Sequence, residues 1–222
     1  MQKFDTTTPV SVVLDVPAGR IRLVAADRAD TVVEVLPVDA SKGRDVKAAE
    51  LTTVEYAAGV LRIEAPVAEN RLLGNPGSVE VTVQLPAGSR VEARTAAGEL
   101  RSTGRLGDVT FEAADGSVEL AETAGARVTL LSGDISIGRL GGSAEISTRK
   151  GDIRIAEAVH GTVVLRTEAG AISADAAPGV SASLDAGTGH GRIHNALRNA
   201  DGAAGLTIHA TTAYGDITAR SL

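Results

Sequence analysis

Hydrophobic and polar residues alternate along most of the chain, in short segments that recur around glycine. The recurring glycines lie about 18 residues apart and are Gly98, Gly116, Gly133, Gly151, Gly170, Gly191 and Gly215. Two residues after each one stands an aliphatic residue: Leu100, Val118, Ile135, Ile153, Ile172, Ile193 or Ile217. The residue that directly follows each aliphatic residue is polar, as in Arg101, Glu119 and Arg154. A period of two predicts a strand with one buried face after each glycine.

A second strand is predicted before each glycine. Five residues upstream of the glycine the chain carries Ala93, Phe111, Val128, Ile146, Leu165, Ala186 and Ala210. Polar residues alternate with this apolar column, so the unit is a strand, a tight glycine corner and another strand. The same pattern extends upstream, around Gly19 and Gly59, in a less regular form. Residues 39–50 are charged and predict one helical turn, and residues 69–78 predict a loop.

Such a unit cannot bury its own apolar columns, but stacked copies turn each column into a continuous internal ladder. The sequence therefore predicts an all-β chain, a parallel β-helix or β-roll solenoid with rungs of about 18 residues. We expect a single domain over residues 1–222, with an irregular N-terminal β part (1–90) acting as a cap and regular repeats over 91–222. Ile135, Ile153 and Ile172 are expected on consecutive rungs. The alternative is a series of antiparallel hairpins that closes into a sandwich or barrel.

The amino-acid composition argues against several classes of binding site and function. The chain has 222 residues, 43% of them hydrophobic and 2% aromatic, and a narrow interior of stacked aliphatic side chains explains the shortage of aromatics. It contains no cysteine, which excludes disulfides and thiolate metal sites. A net charge of −6 argues against nucleic-acid binding. The sequence shows neither a secretory signal nor a long apolar run, so we expect a cytoplasmic protein without membrane insertion.

Several phrases resemble a bacterial family of β-strand repeats known as a putative-adhesin domain of unknown function. They are the segments 85–100, 131–135 and 150–153, and the resemblance extends over residues 10–220. It implies a β-solenoid, and it supplies no catalytic residues. The family's name implies a surface location, which the absence of an export signal in this sequence does not match.

Two groups of side chains, the aspartates of the Gly-Asp corners and the histidines, are of the types that bind metal ions. The Gly-Asp corners (Asp134, Asp152 and Asp216) would stack into an acidic ladder, but aspartate at a turn also accepts hydrogen bonds from the backbone. The chain lacks the nine-residue Gly-Gly-x-Gly-x-Asp repeat of calcium-binding β-rolls. His190 and His194 have the spacing of a helical zinc site, but here they lie in extended segments. The remaining histidines are His160 and His209. We expect no metal site.

The segment Gly189-His190-Gly191-Arg192-Ile193 is similar to a motif of polysaccharide-cleaving β-helices. Those enzymes need paired carboxylates, whereas this chain offers only the isolated Asp175 and Asp185. The Arg149-Lys150 pair is a solvated corner rather than a nucleic-acid patch. We expect no catalytic residues and no cofactor.

These observations predict a non-enzymatic scaffold or protein-interaction module that presents mixed-charge columns to an unidentified protein partner. One alternative is a self-assembling structural protein like the bactofilins, and a remote one is a polysaccharide-acting enzyme. Because the repeat runs to the C-terminus, we expect an unpaired edge at residues 205–222 and weak homodimerisation through it. The connection at 195–206 is the alternative cover for this edge.

Overall fold

Strands make up most of the chain, and the computed structural model describes residues 1–66, 77–199 and 204–222. Within these ranges there is one helix, α1 (Gly43–Leu51). The strands of the N-terminal part are β1 (Gln2–Asp5), β2 (Ser11–Asp15), β3 (Ala18–Ala26), β4 (Asp30–Pro37), β5 (Thr53–Ala57), β6 (Val60–Glu64) and β7 (Val79–Pro86). The strands of the repeat region are β8 (Arg90–Thr103), β9 (Arg105–Ser132), β10 (Ile135–Leu140), β11 (Ala144–Lys150), β12 (Ile153–Ala158), β13 (Gly161–Ala169), β14 (Ile172–Ala176), β15 (Ala182–His190), β16 (Ile193–Ala196), β17 (Leu206–Tyr214) and β18 (Ile217–Ser221).

The repeats stack as parallel rungs, so the solenoid prediction is confirmed and the hairpin alternative is wrong for the repeat region. In the ladder of β10, β12 and β14, Ile135 pairs with Ile153, and Ile153 pairs with Ile172. All three isoleucines are buried. Each rung contributes one strand before its glycine corner and one after it. The strands before the corners form what we call the first ladder, and those after the corners form the second ladder.

The core lies between the inward-facing columns of the two ladders. It is built almost entirely from Val, Leu, Ile and Ala, and Phe111 is its largest side chain. Apolar burial of this kind contributes roughly 25 cal/mol per Å². Since every rung repeats the same inward positions, the core extends along the stack instead of converging on one centre.

Glycine at the corners is required by the neighbouring rung as well as by the backbone. Gly133 and Gly151 have φ angles of 135° and 143°, which L-residues with a side chain rarely adopt. A Cβ atom at Gly151 would overlap the carbonyl oxygen of Gly133, and one at Gly133 would overlap the carbonyl oxygen of Gly116. The glycine column therefore sets the close stacking of corners.

The order of rungs in space differs from their order in sequence at the C-terminal end. β17 pairs with both β13 and β15, and β18 pairs with both β14 and β16. The last rung of the sequence thus lies between two earlier ones, and β15–β16 forms the end of the stack. Ile217 is consequently 1% exposed while Ile193 is 46% exposed. The predicted edge at residues 205–222 is wrong, because both sides of that rung are paired.

The N-terminal end has the same kind of displaced order. β2 lies between β6 and β8, and β3 lies between β7 and β8. Beyond β7 the pairing becomes antiparallel, through β4 and then β1, and β5 pairs antiparallel with β6. The pattern around Gly59 is therefore a hairpin and not a repeat corner.

Antiparallel strands and two aromatic rings close this end. Phe4 of β1 and Tyr56 of β5 meet with their ring centroids 5.3 Å apart, and both pack against the core. Hydrogen bonds from Arg28 and Lys3 lower the pKa of Asp30, the first residue of β4, to about 2. We call this arrangement the closed end.

Helix α1 is longer than the single turn predicted for residues 39–50. Its buried Asp45 accepts a hydrogen bond from the backbone N–H of Ser78, which holds the helix against the start of β7. The loop predicted at residues 69–78 falls mostly outside the described residues. Among the residues described, no helix is both long and apolar enough to cross a membrane.

Candidate functional site: the open end of the solenoid

Among the described residues, the rung formed by β15 and β16 has a neighbouring rung on one side only. There, β15 pairs with β17 alone and β16 pairs with β18 alone. The Ser181 carbonyl accepts hydrogen bonds from Gly205 and Leu206 on the inner side, whereas the N–H of Ala182 turns outward and donates to the Arg198 carbonyl. Backbone groups in a parallel strand alternate sides, so those of Leu184 and Ala186 also face outward. We call the outer side of β15–β16 the open end.

The described residues also leave the hydrophobic core partly uncovered at the open end. Inward-facing Leu184 and Ala186 are only partly buried, and Ile193 is 46% exposed. Leu197, after β16, packs partly against the core, and Arg198 covers the edge only at Ala182. Of the connection expected to fold over the end, the described residues up to 199 cover just the beginning of the edge, and residues 200–203 lie outside the described residues. An uncovered edge with an apolar interior is a surface on which another chain can add a strand.

One residue explains why this copy of the repeat lies at the end. Asn195 occupies a column that faces the core, where the stacked copies carry Ile137, Ile155, Ala174 and Ala219. Burying its amide without partners would be costly, and at the end it remains in water. Ser102, in the same column, is also polar but lies buried inside the stack, where its hydroxyl accepts a hydrogen bond from the N–H of Ala121, so a polar residue in this column does not by itself identify the terminal rung.

The corner of the open end is fixed by contacts with the rung beneath. The His190 ring stacks on the Tyr214 ring, with 4.9 Å between centroids and 9° between planes. Arg192 donates to Asp216 from both its backbone N–H and its guanidinium, at 2.9 Å each. These hydrogen bonds lower the pKa of Asp216. The Gly-His-Gly segment is thus engaged in holding two rungs together.

The aspartates of the Gly-Asp corners join rungs by a hydrogen bond. The backbone N–H of Asp152 donates to the Asp134 carboxylate at 2.8 Å, and the N–H of Ala171 donates to the Asp152 carboxylate at 2.7 Å. Asp216 accepts in the same way from Arg192. The carboxylates act as acceptors for the next corner, which is the backbone role expected of aspartate at a turn.

This chain of hydrogen bonds has a gap at Ala171, which offers no side-chain acceptor to the corner of Asp216. We expect Ala171→Asn to supply one and to raise the free energy of unfolding by about 0.5–1 kcal/mol. Asparagine avoids placing a third carboxylate between Asp152 and Asp216. Urea denaturation of both proteins measures the change, and an unchanged or lower midpoint would contradict it. Half-buried Ser173→Asn, on the following strand, is the control with no expected gain.

The histidines do not assemble into a metal centre. His190 faces Tyr214, while His209 lies 3.3 Å from Asp185 through its Nδ1 atom. No group of three or more potential His, Asp or Glu ligands occurs in the ranges 1–66, 77–199 and 204–222.

We expect excess EDTA to leave the melting temperature unchanged, because folding linked to a metal requires a set of ligands that converge. Differential scanning calorimetry with and without the chelator measures this. A clear fall in melting temperature, reversed by adding Ca²⁺ or Zn²⁺, would contradict the structural role given to the Gly-Asp corners.

The two isolated carboxylates have different environments. Asp175 is 3% exposed and accepts hydrogen bonds from Arg220 at 2.8 and 3.0 Å, and this contact raises the pKa of Arg220. Its other oxygen, Oδ1, has no hydrogen-bond partner among the described residues. Asp185 is exposed beside His209. One carboxylate is therefore committed to an ion pair and the other lies in water at the open end.

The mixed-charge column predicted from the repeats lies on the outer face of the second ladder. Arg101 pairs with Glu119, Glu119 with Ser136, and Ser136 with Arg154. The Arg101–Glu119 ion pair is 3.7 Å long and both side chains are more than half exposed. Exposed pairs of this kind contribute little to stability.

A shallow groove of about 540 Å³ crosses the outer face of the first ladder near the open end. Arg166, Asp185, Gly187 and His209 line it. Because small residues stand beside long ones here, the sheet surface is indented. This groove is not evident from the sequence, since its walls come from three rungs whose order in space, β13, β17 and β15, differs from their order in the chain.

Comparison with known proteins gives a family and a set of distant structural likenesses. The family model described as Toastrack DUF4097 matches residues 12–221. No curated protein matches the chain. A "putative adhesin" from Parabacteroides distasonis is 14% identical with a TM-score of 0.48, and the match covers 100% of this chain and 95% of that one.

Two further solved structures are similar at the same level. A "putative adhesin" from Bacteroides fragilis is 10% identical with a TM-score of 0.47, covering 98% of this chain and 95% of that one. A "putative cell adhesion protein" from Clostridium sporogenes is 10% identical with a TM-score of 0.41, covering 100% and 99%.

Proposed function

The chain belongs to the Toastrack DUF4097 family, domains of unknown function, and on this premise we propose that it is a non-enzymatic protein-interaction module. Its binding surface is the open end, where a partner adds an extended segment to β15 and β16. The observation that carries this proposal is the one-sided pairing of this rung together with the 46% exposure of Ile193.

Strand addition suits the chemistry of this surface. The outward backbone groups of Leu184 and Ala186 supply hydrogen bonds, and the uncovered core supplies apolar contact for alternate side chains of the added strand. The edge also lacks the lysine or proline with which proteins commonly protect a free strand. The outer column that contains Arg101, Glu119 and Arg154 continues through Ser173 and Thr218 to His194, so the residue of this column at the open end is polar.

An enzymatic role has less support. The Gly-His-Gly corner is occupied by the His190–Tyr214 stack and the Arg192–Asp216 pair. Glycoside hydrolysis needs two carboxylates flanking one bond, and here Asp175 is buried against Arg220.

The test uses a synthetic peptide with the sequence of residues 206–221, which already pairs in register with β15 and β16 from the inner side. We expect the labelled peptide to bind saturably to the protein, as measured by fluorescence anisotropy, and a scrambled peptide not to bind. Ile193→Lys places a charge on the open end and should abolish binding.

Leu131→Lys is the matched control, because Leu131 is 51% exposed on the outer face of the first ladder. Its binding should equal that of the parent. Equal binding of the scrambled peptide, or no binding of either peptide by the parent, would overturn the proposal.

A further inference from the structure

The two ends of the solenoid are chemically different. At the closed end the outermost strands, β1 and β5, run antiparallel to their neighbours, and Phe4 and Tyr56 meet over the core. At the open end the rung is parallel to its neighbour and its core residues are uncovered. The strands β1 and β5 also pair on one side only among the described residues, but Phe4 and Tyr56 pack over the core there, so the closed end presents no apolar interior for head-to-tail stacking.

We propose that the partner at the open end is a second copy of this chain, in a closed two-fold dimer. This inference rests on the proposed function, since it names the occupant of the same surface. When only one end can associate, the contact is isologous and stops at two copies. The chain then does not polymerise as the bactofilin-like alternative requires.

The direction of the strands defines the two-fold axis. β15 runs towards the His190–Gly191 corner and β16 runs away from it. A two-fold axis through the corner, along the bisector of the two strands, lays β15 of one copy antiparallel on β16 of the other. The same rotation places one uncovered core directly over the other. A two-fold axis perpendicular to the bisector would join only one pair of strands and leave both cores open.

The side-chain pattern is compatible with this register. The inward residues of β15 have even numbers, and the inward residues of β16 have odd numbers. An inward residue therefore lies opposite another inward residue whenever an even-numbered residue of one copy pairs with an odd-numbered residue of the other. With the axis at the His190–Gly191 bond, Ile193 lies opposite Thr188 of the second copy, and Asn195 lies opposite Ala186. The outward N–H and C=O groups of Ala186, Thr188, Ile193 and Asn195 then have antiparallel partners.

Charge favours self-association at this surface. The chain carries −6, but the rung 182–196 contains one aspartate and one arginine and is neutral. In the register above, Asp185 lies diagonally across from His194 of the second copy, within reach of a cross-strand attraction. Two open ends therefore meet without net repulsion between the charges of their own rungs.

Sedimentation velocity over a wide range of protein concentration tests the dimer. We expect the parent to shift from monomer to dimer and to form nothing larger. Ile193→Lys should remain monomeric at every concentration, and Leu131→Lys should dimerise like the parent. Ala186→Pro removes an outward N–H without affecting the ladder to β17 and should also be monomeric.

Three results would overturn the dimer. They are a parent that stays monomeric throughout, a parent whose mass grows beyond two copies, and an Ile193→Lys variant that still dimerises. The peptide experiment separates this inference from the proposed function. A monomeric parent that binds the 206–221 peptide contradicts the dimer alone, whereas a parent that neither dimerises nor binds the peptide contradicts both.

Discussion

Replacing Gly151 with alanine is expected to destabilise the protein by roughly 3–5 kcal/mol, through backbone strain and a steric clash together. The φ angle of 143° is unfavourable for alanine, and the new methyl group would overlap the carbonyl oxygen of Gly133 on the neighbouring rung. Neither rung can move without opening the ladders on both sides. Urea denaturation followed by circular dichroism measures the loss.

Gly59→Ala separates the two causes. Gly59 also has a positive φ, 80°, but a Cβ there meets no atom within 4 Å. This control should cost only about 1 kcal/mol, as alanine does at an unobstructed left-handed position. Equal losses in the two variants would show that the close stacking of corners contributes nothing.

Ile153→Asp is expected to cost more than about 4 kcal/mol, because it places a carboxylate in the core without a partner. Ile153 is 1% exposed and lies between Ile135 and Ile172, so the charge would have aliphatic neighbours on both adjacent rungs. Thermal melting should show a large fall in the transition temperature or the loss of a cooperative transition.

Arg154→Asp is the control, since it introduces the same side chain at the next residue of β12, where the side chain is exposed. We expect its melting temperature to lie close to that of the parent. If Ile153→Asp also melted like the parent, the inward assignment of this column would be wrong.

The sequence predicts which side of each strand is buried because that information is local. Alternation around Gly133, Gly151 and Gly170 places Ile135, Ile153 and Ile172 inward, and the structure confirms this assignment. The glycine at each corner is also readable, since a backbone that approaches a neighbouring rung so closely excludes a side chain.

The order of the rungs is not readable in the same way. Copies of one repeat place apolar residues in the same columns. By this pattern alone, residues 182–196 and residues 206–221 fit almost equally well beside β13 and β14. The two copies differ at several positions, and one of the differences is Asn195 against Ala219 in a core-facing column, where burial of the amide is costly. The sequence therefore predicts the free edge at residues 205–222, one rung away from its position at residues 182–196.

The N-terminal part shows a second limit. Around Gly59 the apolar columns match the repeat, yet Ala58 and Gly59 have φ angles of 50° and 80° and reverse the chain into a hairpin. The alternation of apolar and polar residues indicates a half-buried strand, but it does not indicate whether the neighbouring strand runs parallel or antiparallel. Phe4 and Tyr56, which lie outside the regular repeats, were not recognised as the residues that seal this end.

The displaced rung also affects how the protein can be made. During synthesis residues 182–196 leave the ribosome before residues 206–221, although the later segment lies closer to the middle of the stack. Rung-by-rung addition can follow the growing chain only as far as β13 and β14. From there the native neighbour of β15 and β16 does not yet exist, and the hydrogen bonds of two rungs form together once the later segment is released. This end of the solenoid therefore cannot complete its strand pairing before residues 206–221 have left the ribosome.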